Sequence, residues 1–113
     1  MADFQWNVYT ARVGFVESDV TKLRPVFVLN DPVGVHKIVL VAPIFSAKPA
    51  HILSGDIKIT DGHSDLGLLK PSTIRLHRIV SLPASDLQEQ LGQVPIKLRA
   101  TIKAELKKLF NFE

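Results

Sequence analysis

The chain has 113 residues, the length of one ordinary domain, and we expect a single domain over residues 1–113. It contains no cysteine, which excludes disulfides and thiolate metal sites and favours a reducing compartment such as the cytoplasm. Fourteen basic against eleven acidic residues give a net charge of +3, which permits an anionic partner without requiring one. The longest apolar run, residues 38–45, is too short to span a membrane, and the first residues lack the apolar run of a signal peptide.

The first half of the chain predicts three strands. Apolar residues alternate from Phe4 to Val8 and then continue on the other parity from Tyr9, which indicates one strand with a β-bulge. Residues 25–29 predict a second strand that is buried on both faces. After turn-forming residues at 30–34, residues 37–45 predict a third, central strand.

The second half predicts two further strands and two helices. The strands are expected at 56–60 and 72–82. A short helix is expected at 83–91, ended by Gly92, and a second helix opens at Pro95. The apolar stripe of this last helix is Ile102, Leu106, Leu109 and Phe110. A row of cations, Arg99, Lys103 and Lys107, lies beside it. We interpret this row as a solvated face in preference to an RNA contact. The pattern predicts a small, mainly β domain with a C-terminal helix.

The fifth predicted strand carries a candidate phosphate site. Thr73, Arg75 and His77 fall on one face of it, because strand side chains alternate. Metal-free cleavage of RNA needs a base for the 2′-hydroxyl, a cation for the charged phosphorus intermediate and an acid for the leaving oxygen. Histidine transfers protons near neutral pH, and arginine grips phosphate oxygens with parallel hydrogen bonds. The alternative is an ordinary solvated face of an antiparallel strand.

Two further candidates stand at the ends of the apolar strands. Arg24 precedes the second strand, where it needs either an anionic ligand such as phosphate or an ion pair with Asp19 or Glu17. Ser46 follows the third strand and can donate a hydrogen bond to phosphate or simply end the strand. The other candidates for RNA contact are Lys22, Lys48 and, as a base-stacking aromatic, Trp6.

Metal and cofactor sites are not predicted. The four histidines lack metal-ligand spacing, and there is no glycine-rich phosphate loop, nucleophile elbow or His-Glu-x-x-His motif. We therefore expect a protein that works without a cofactor.

Three stretches occur in order along the chain, KLRPVFVL at 22–29, VAPIFS at 41–46 and GLLKPSTIRL at 67–76, and IVSL follows at 79–82. Together they resemble the PemK/MazF family of toxins of toxin–antitoxin systems. The resemblance implies a small, strongly bent β-barrel of the CcdB/MazF type closed by a C-terminal helix, and a homodimer. It also implies sequence-specific cleavage of single-stranded mRNA without a metal, and a cognate antitoxin that folds over the active site.

By the same resemblance, Arg24 is the catalytic arginine that steadies the phosphate, and residues 17–23 border the RNA groove. The family's catalytic threonine falls on Phe45, so its hydrogen-bonding role either moves to Ser46 or is lost. The family's Gly-Asp opening is replaced by QWNV at 5–8. We predict catalysis by Arg24 and Ser46 with His77 assisting, and RNA contacts by Lys22, Arg75, Thr73, Lys48 and Trp6. The alternatives are a catalytically silent RNA- or protein-binding module and a toxin directed at gyrase.

Overall fold

The computed structural model describes residues 4–14, 20–46, 51–60 and 62–111, and these form seven strands and one α-helix. The strands are β1 (Asn7–Val13), β2 (Lys22–Val28), β3 (Ile38–Phe45), β4 (Asp56–Ile59), β5 (Ser72–Arg75), β6 (Val80–Pro83) and β7 (Gln90–Gln93). The helix is α1 (Ile96–Phe110). No helix in these ranges is long and apolar enough to cross a membrane.

All seven strands belong to one antiparallel sheet. The order is β4-β5-β3-β2-β1-β7, and β6 pairs with β3 beside this path. The sheet curls into a half-barrel, which confirms the predicted mainly β fold with a bent, barrel-like sheet and a C-terminal helix. The β1–β7 register shifts between Val8 and Tyr9, where the sequence predicted a bulge.

The central strand β3 changes partner halfway along one edge. Residues Ile38 to Val41 pair with β6, whereas Ile44 and Phe45 pair with β5. Pro43, which has no N–H to donate to a ladder, falls between the two pairings. The break bends the sheet and brings the end of β3 beside β5.

Two apolar clusters hold the fold together. The larger one contains buried side chains from β1 to β5 and the helix residue Ile102, which is fully buried. Leu98, Leu106 and Leu109 of α1 pack against it. The smaller cluster is a set of buried small apolar residues, Ala11, Val13, Val26, Val28, Val39 and Val41. The predicted helix stripe is therefore correct except for Phe110, which is 54% exposed.

The expected continuous strand at 72–82 is wrong. The chain leaves β5 after Arg75, makes a turn of 3-10 helix at Leu76–Arg78, and enters β6 at Val80. The Leu76 N–H donates to the carbonyl oxygen of Gly55, and the Leu76 side chain is buried. The interruption follows from β3, because β5 and β6 pair with different halves of that strand.

The expected helix at 83–91 is also wrong. The segment forms one turn of 3-10 helix at Ala84–Asp86 and then the strand β7, which includes Gly92. Long-range hydrogen bonds explain the difference: Thr10 N–H donates to the Glu89 carbonyl, Gln88 N–H donates to the Thr10 carbonyl, and Glu89 N–H donates to Thr10 Oγ1. Pairing with β1 thus overrides the local helical pattern.

Candidate functional site

Arg24 and Ser46 line one groove, with a volume of about 450 Å³, at the ends of β2 and β3. The groove is bordered on its other side by the loop that leads into β5. Its lining residues are Leu23, Arg24, Pro25, Ile44, Ser46, Gly67, Leu68, Leu69, Lys70, Ser72 and Leu91. The sheet therefore brings together two side chains that stand twenty-two positions apart in sequence.

The Arg24 guanidinium lies over the aromatic ring of Phe45. Its Cζ is 4.6 Å from the ring centroid. The contact arises because β2 and β3 are antiparallel neighbours, so the start of one lies beside the end of the other. Phe45 also pairs in register with Thr73 on β5. The sheet and an aromatic contact thus position Arg24 beside the groove.

Arg75 belongs to a separate buried cluster with Asp56 and His77. Its Nε donates to Asp56 Oδ1 and its Nη2 to Oδ2, both at 2.9 Å. The Asp56 side chain is fully buried and also accepts a hydrogen bond of 2.8 Å from the Leu53 N–H. His77 Nδ1 lies 3.6 Å from Asp56 Oδ1. The two hydrogen bonds pair the partly buried head group of Arg75 with a buried carboxylate.

The ionisation of the cluster follows its geometry. Burial opposes the charged form of Asp56, but the hydrogen bonds from Arg75 and Leu53 and the electrostatic contributions of Arg75 and, last, His77 outweigh it, so the pKa of Asp56 lies below its usual value. The hydrogen bond to Asp56 raises the pKa of Arg75, against the opposing effect of burial. The pair is held in its charged form.

His77 does not line the groove. Its side chain is 22% exposed, and both ring nitrogens are buried without a hydrogen-bond partner among the described residues. A Cβ placed on Gly55 would lie 3.6 Å from His77 Nδ1 and 3.3 Å from Leu109 Cδ2, so the imidazole packs where β4 meets α1. The structure therefore separates His77 from Arg24 and Ser46.

The remaining predicted residues are dispersed. Thr73 is buried and lines a small cavity of 180 Å³ that also contains Ser46 and Ser72. Lys22 is exposed at the start of β2 and shares the strand face of Arg24. Lys48 lies outside the described residues.

Trp6 is packed between the sheet and the helix. It stacks on Phe27 with ring centroids 5.5 Å apart, and the Arg99 guanidinium carbon lies 5.3 Å and the Lys103 Nζ 5.8 Å from its ring centroid. The Arg99 Nε donates to the Val94 carbonyl. Two cations of the helical row are thus used to dock α1 on Trp6, at a place outside the groove.

Sequence reasoning missed the loop that completes the groove. Lys70 and Ser72 line it, and Leu69 at its rim is fully exposed. The available signal was Lys70-Pro71-Ser72, a cation and a hydroxyl around a proline directly before a strand, which the family resemblance included without assigning a role.

Comparisons with known proteins agree on one family. The family model of PemK-like, MazF-like toxins of type II toxin–antitoxin systems matches residues 4–110. Comparison with curated protein sequences gave no significant match.

Solved structures of similar fold include a Mycobacterium tuberculosis toxin, MazF-mt6, with a TM-score of 0.74 and 21% identity over 95% of this chain and 98% of that one. They also include an endoribonuclease in complex with its cognate antitoxin from Mycobacterial species, with a TM-score of 0.76 and 18% identity over 99% of this chain and 98% of that one. At these identities the two structures establish the shared fold.

Proposed function

Because the chain belongs to the family of PemK-like, MazF-like toxins of type II toxin–antitoxin systems, we propose that it is an endoribonuclease that cleaves single-stranded mRNA at specific sequences. The observation that carries the proposal is the convergence of Arg24 and Ser46 in one groove. One of the proteins of similar fold is described as an endoribonuclease, which supports the same activity.

The proposed reaction is attack by a ribose 2′-oxygen on the adjacent phosphorus. The bond from phosphorus to the 5′-oxygen breaks, the 2′-hydroxyl loses its proton and the 5′-oxygen gains one, leaving a 2′,3′-cyclic phosphate and a 5′-hydroxyl. Negative charge accumulates on the non-bridging oxygens during this step. A guanidinium that donates two parallel hydrogen bonds stabilises that charge most strongly when it is already positioned.

We assign this stabilisation to Arg24 and a supporting hydrogen bond to Ser46. The described lining of the groove holds no carboxylate or imidazole, so its own contribution is electrostatic and positional. Lys70 and Ser72 stand where they can contact neighbouring phosphates. Arg75 and His77 are engaged with Asp56, and we leave them out of the chemistry.

We further propose that the partner is a cognate antitoxin and that the toxin acts as a homodimer. Support for the antitoxin comes from the solved complex of a similar fold with its cognate antitoxin, and the homodimer is what the family resemblance implies. Leu69 and Leu23 expose apolar surface at the groove, which a bound protein segment would cover.

The test is incubation of the purified protein with a long single-stranded RNA in excess chelator, followed by mapping of the cut ends. We expect discrete cuts with 5′-hydroxyl ends. Arg24→Ala should slow cleavage by about 100-fold or more, the usual loss when one charge-stabilising donor is removed. Its melting temperature should stay close to that of the parent protein.

Arg12→Ala is the matched control, because Arg12 is an exposed arginine on the neighbouring strand β1 and its loss changes the net charge equally. Intact RNA after incubation with folded protein would contradict the proposal and favour a catalytically silent binder. Equal slowing by the two substitutions would show that Arg24 acts through general charge and has no specific role.

A further inference from the structure

The ring of Phe45 has two arginine head groups beside it. The Arg24 Cζ lies 4.6 Å and the Arg75 Cζ 6.0 Å from its centroid. Phe45 is half-buried at the last position of β3, next to Ser46. An aromatic ring attracts a cation over its face, and guanidinium is the cation most often found there.

The two arginines are held in different ways. Arg75 donates from Nε and Nη2 to the two carboxylate oxygens of Asp56, which fixes it to β4. Arg24 lines the groove that also contains Ser46, and its Nε is buried. The ring of Phe45 therefore contacts one arginine that is part of the scaffold and one that lines the substrate groove.

An aromatic ring and a hydroxyl at position 45 would have different effects on the hydrogen-bond donors of Arg24. A hydroxyl can accept a hydrogen bond from the guanidinium and so occupy one of its donors. A ring below the guanidinium plane takes no N–H donor and restricts the tilt of that plane. Phosphate is bound by two parallel N–H groups at the edge of this plane.

We propose that Phe45 is a positioning residue whose ring holds the plane of the Arg24 guanidinium so that its edge meets the phosphate to be cleaved. This assignment rests on the proposed function. It makes the aromatic side chain a working part of the site, where the family resemblance suggested the loss of a hydroxyl.

The test uses three substitutions at Phe45. Phe45→Leu keeps an apolar side chain of similar size and removes the ring, whereas Phe45→Trp and Phe45→Tyr keep a ring. Single-turnover cleavage and RNA affinity are measured separately, because a positioning role acts on the rate constant more than on ground-state binding. Phe110→Leu, the same change at an exposed phenylalanine on α1, is the matched control.

We expect Phe45→Leu to lower the single-turnover rate constant about tenfold, which corresponds to about 1.4 kcal/mol. RNA affinity should change by less than about twofold. Phe45→Trp should restore most of the rate, because tryptophan is the strongest cation–π partner. A Phe45→Leu rate equal to the parent rate, or equal losses for Leu and Trp, would overturn the proposal.

A double-mutant cycle with Arg24→Lys tests whether Phe45 acts through Arg24. Lysine lacks the planar fork, so Phe45→Leu should have little further effect in that background. Independent losses that multiply would overturn the proposal while leaving the proposed function in place. Near-ultraviolet circular dichroism and thermal unfolding verify the fold of each variant, and Phe45→Met replaces Phe45→Leu if the latter does not fold.

The ring contact has a readout that does not depend on activity. The Arg24 Nε–H proton, assigned by its absence in Arg24→Lys, should appear upfield in the parent protein and in Phe45→Trp, and return to its ordinary position in Phe45→Leu. An unshifted proton in the parent protein would overturn the proposal. A shifted proton in a protein that cleaves no RNA would instead refute the proposed function and, with it, the catalytic purpose of the contact.

Discussion

Asp56 is the buried acid that pairs with Arg75 at the junction of β4 and β5. Its buried carboxylate meets Arg75 through two hydrogen bonds and lies near His77. Removing one member of a buried, hydrogen-bonded ion pair leaves the other charge without its partner, which is far more costly than losing an exposed pair. The cluster therefore stabilises the junction of β4 and β5.

We predict that Asp56→Asn lowers the free energy of unfolding at neutral pH by about 3 kcal/mol, the usual cost of breaking a buried pair. The measurement is urea unfolding at pH 7. Glu105→Gln is the matched control, because Glu105 pairs with Lys108 at 3.4 Å on the exposed face of α1. That exposed pair should contribute less than about 1 kcal/mol. Equal losses for the two variants would show that Asp56 has no special structural role.

The same pair should make stability depend on acid. The pKa of Asp56 is lowered in the folded protein, so its stabilisation is complete above its unfolded pKa and is lost as the pH falls through the folded one. Urea unfolding of the parent protein should therefore give a falling free energy below about pH 4, near the ordinary aspartate pKa. The fall should be smaller in Asp56→Asn. Parallel pH profiles for the two proteins would contradict this linkage.

At the scale of elements, β7 is placed by two glycines that face each other. A Cβ on Gly67, which has a φ of 79°, would overlap the backbone of Leu91. A Cβ on Gly92 would lie 2.6 Å from the Leu66 carbonyl carbon and 2.8 Å from the Asp65 oxygen. The backbones touch directly, and because Gly67, Leu68 and Leu91 line the groove, this contact also shapes its wall.

We predict that Gly92→Ala lowers the free energy of unfolding by about 1–3 kcal/mol, as overpacking in a tight region does. The clash is with backbone, which cannot move aside by rotating a side chain. Gly14→Ala is the matched control, because its Cβ would lie 3.1 Å from the Thr21 Cγ2, within a side chain that can adjust, and at an ordinary 3.9 Å from the Val20 carbonyl oxygen. Urea unfolding of both variants makes the comparison, and a stable Gly92→Ala with an unstable Gly14→Ala would contradict it.

The sequence predicted elements well where local pattern and final environment agree. Apolar runs located β2 and β3, and the parity change at Val8 and Tyr9 located the bulge. The pattern failed at residues 76–79, which interrupt the expected strand, and at the expected helix 83–91, where the conformation is set by distant partners. The Leu76 N–H donates to the Gly55 carbonyl, and Thr10 is hydrogen-bonded to residues 88 and 89. Neither partner can be read from the local sequence.

The residues of the candidate site also differ in whether local sequence or distant pairing sets their environment. Arg24 and Ser46 were identified because each stands at the end of a strongly apolar strand, and antiparallel pairing brings such ends together. Arg75 and His77 were grouped by alternation along one expected strand. Their partner Asp56 lies nineteen residues before Arg75, so the ion pair became visible only once β4 paired with β5.

At the scale of the whole molecule, the charge is modest and its placement matters more than its sum. The net charge is +3, and three of the cations contact other side chains of the protein: Arg75 pairs with Asp56, and Arg99 and Lys103 lie against Trp6. Arg24 and Lys70 stand at the groove. If the groove binds RNA, we expect a small number of local phosphate contacts to supply most of the affinity.

The salt dependence of RNA affinity measures the number of phosphate contacts. Affinity for single-stranded RNA falls with salt by a log–log slope of about 0.7 for each phosphate neutralised. We predict that Lys70→Ala makes the slope shallower by about 0.7, because it removes one phosphate contact at the groove. The measurement is fluorescence anisotropy with a 2′-O-methyl RNA, which binds without offering the attacking hydroxyl. Lys108→Ala, on the far exposed part of α1, loses the same charge and should keep the parent slope. A flat salt response of the parent protein would mean that the groove binds no phosphate chain, and the apolar rim at Leu23 and Leu69 would then point to a protein ligand alone.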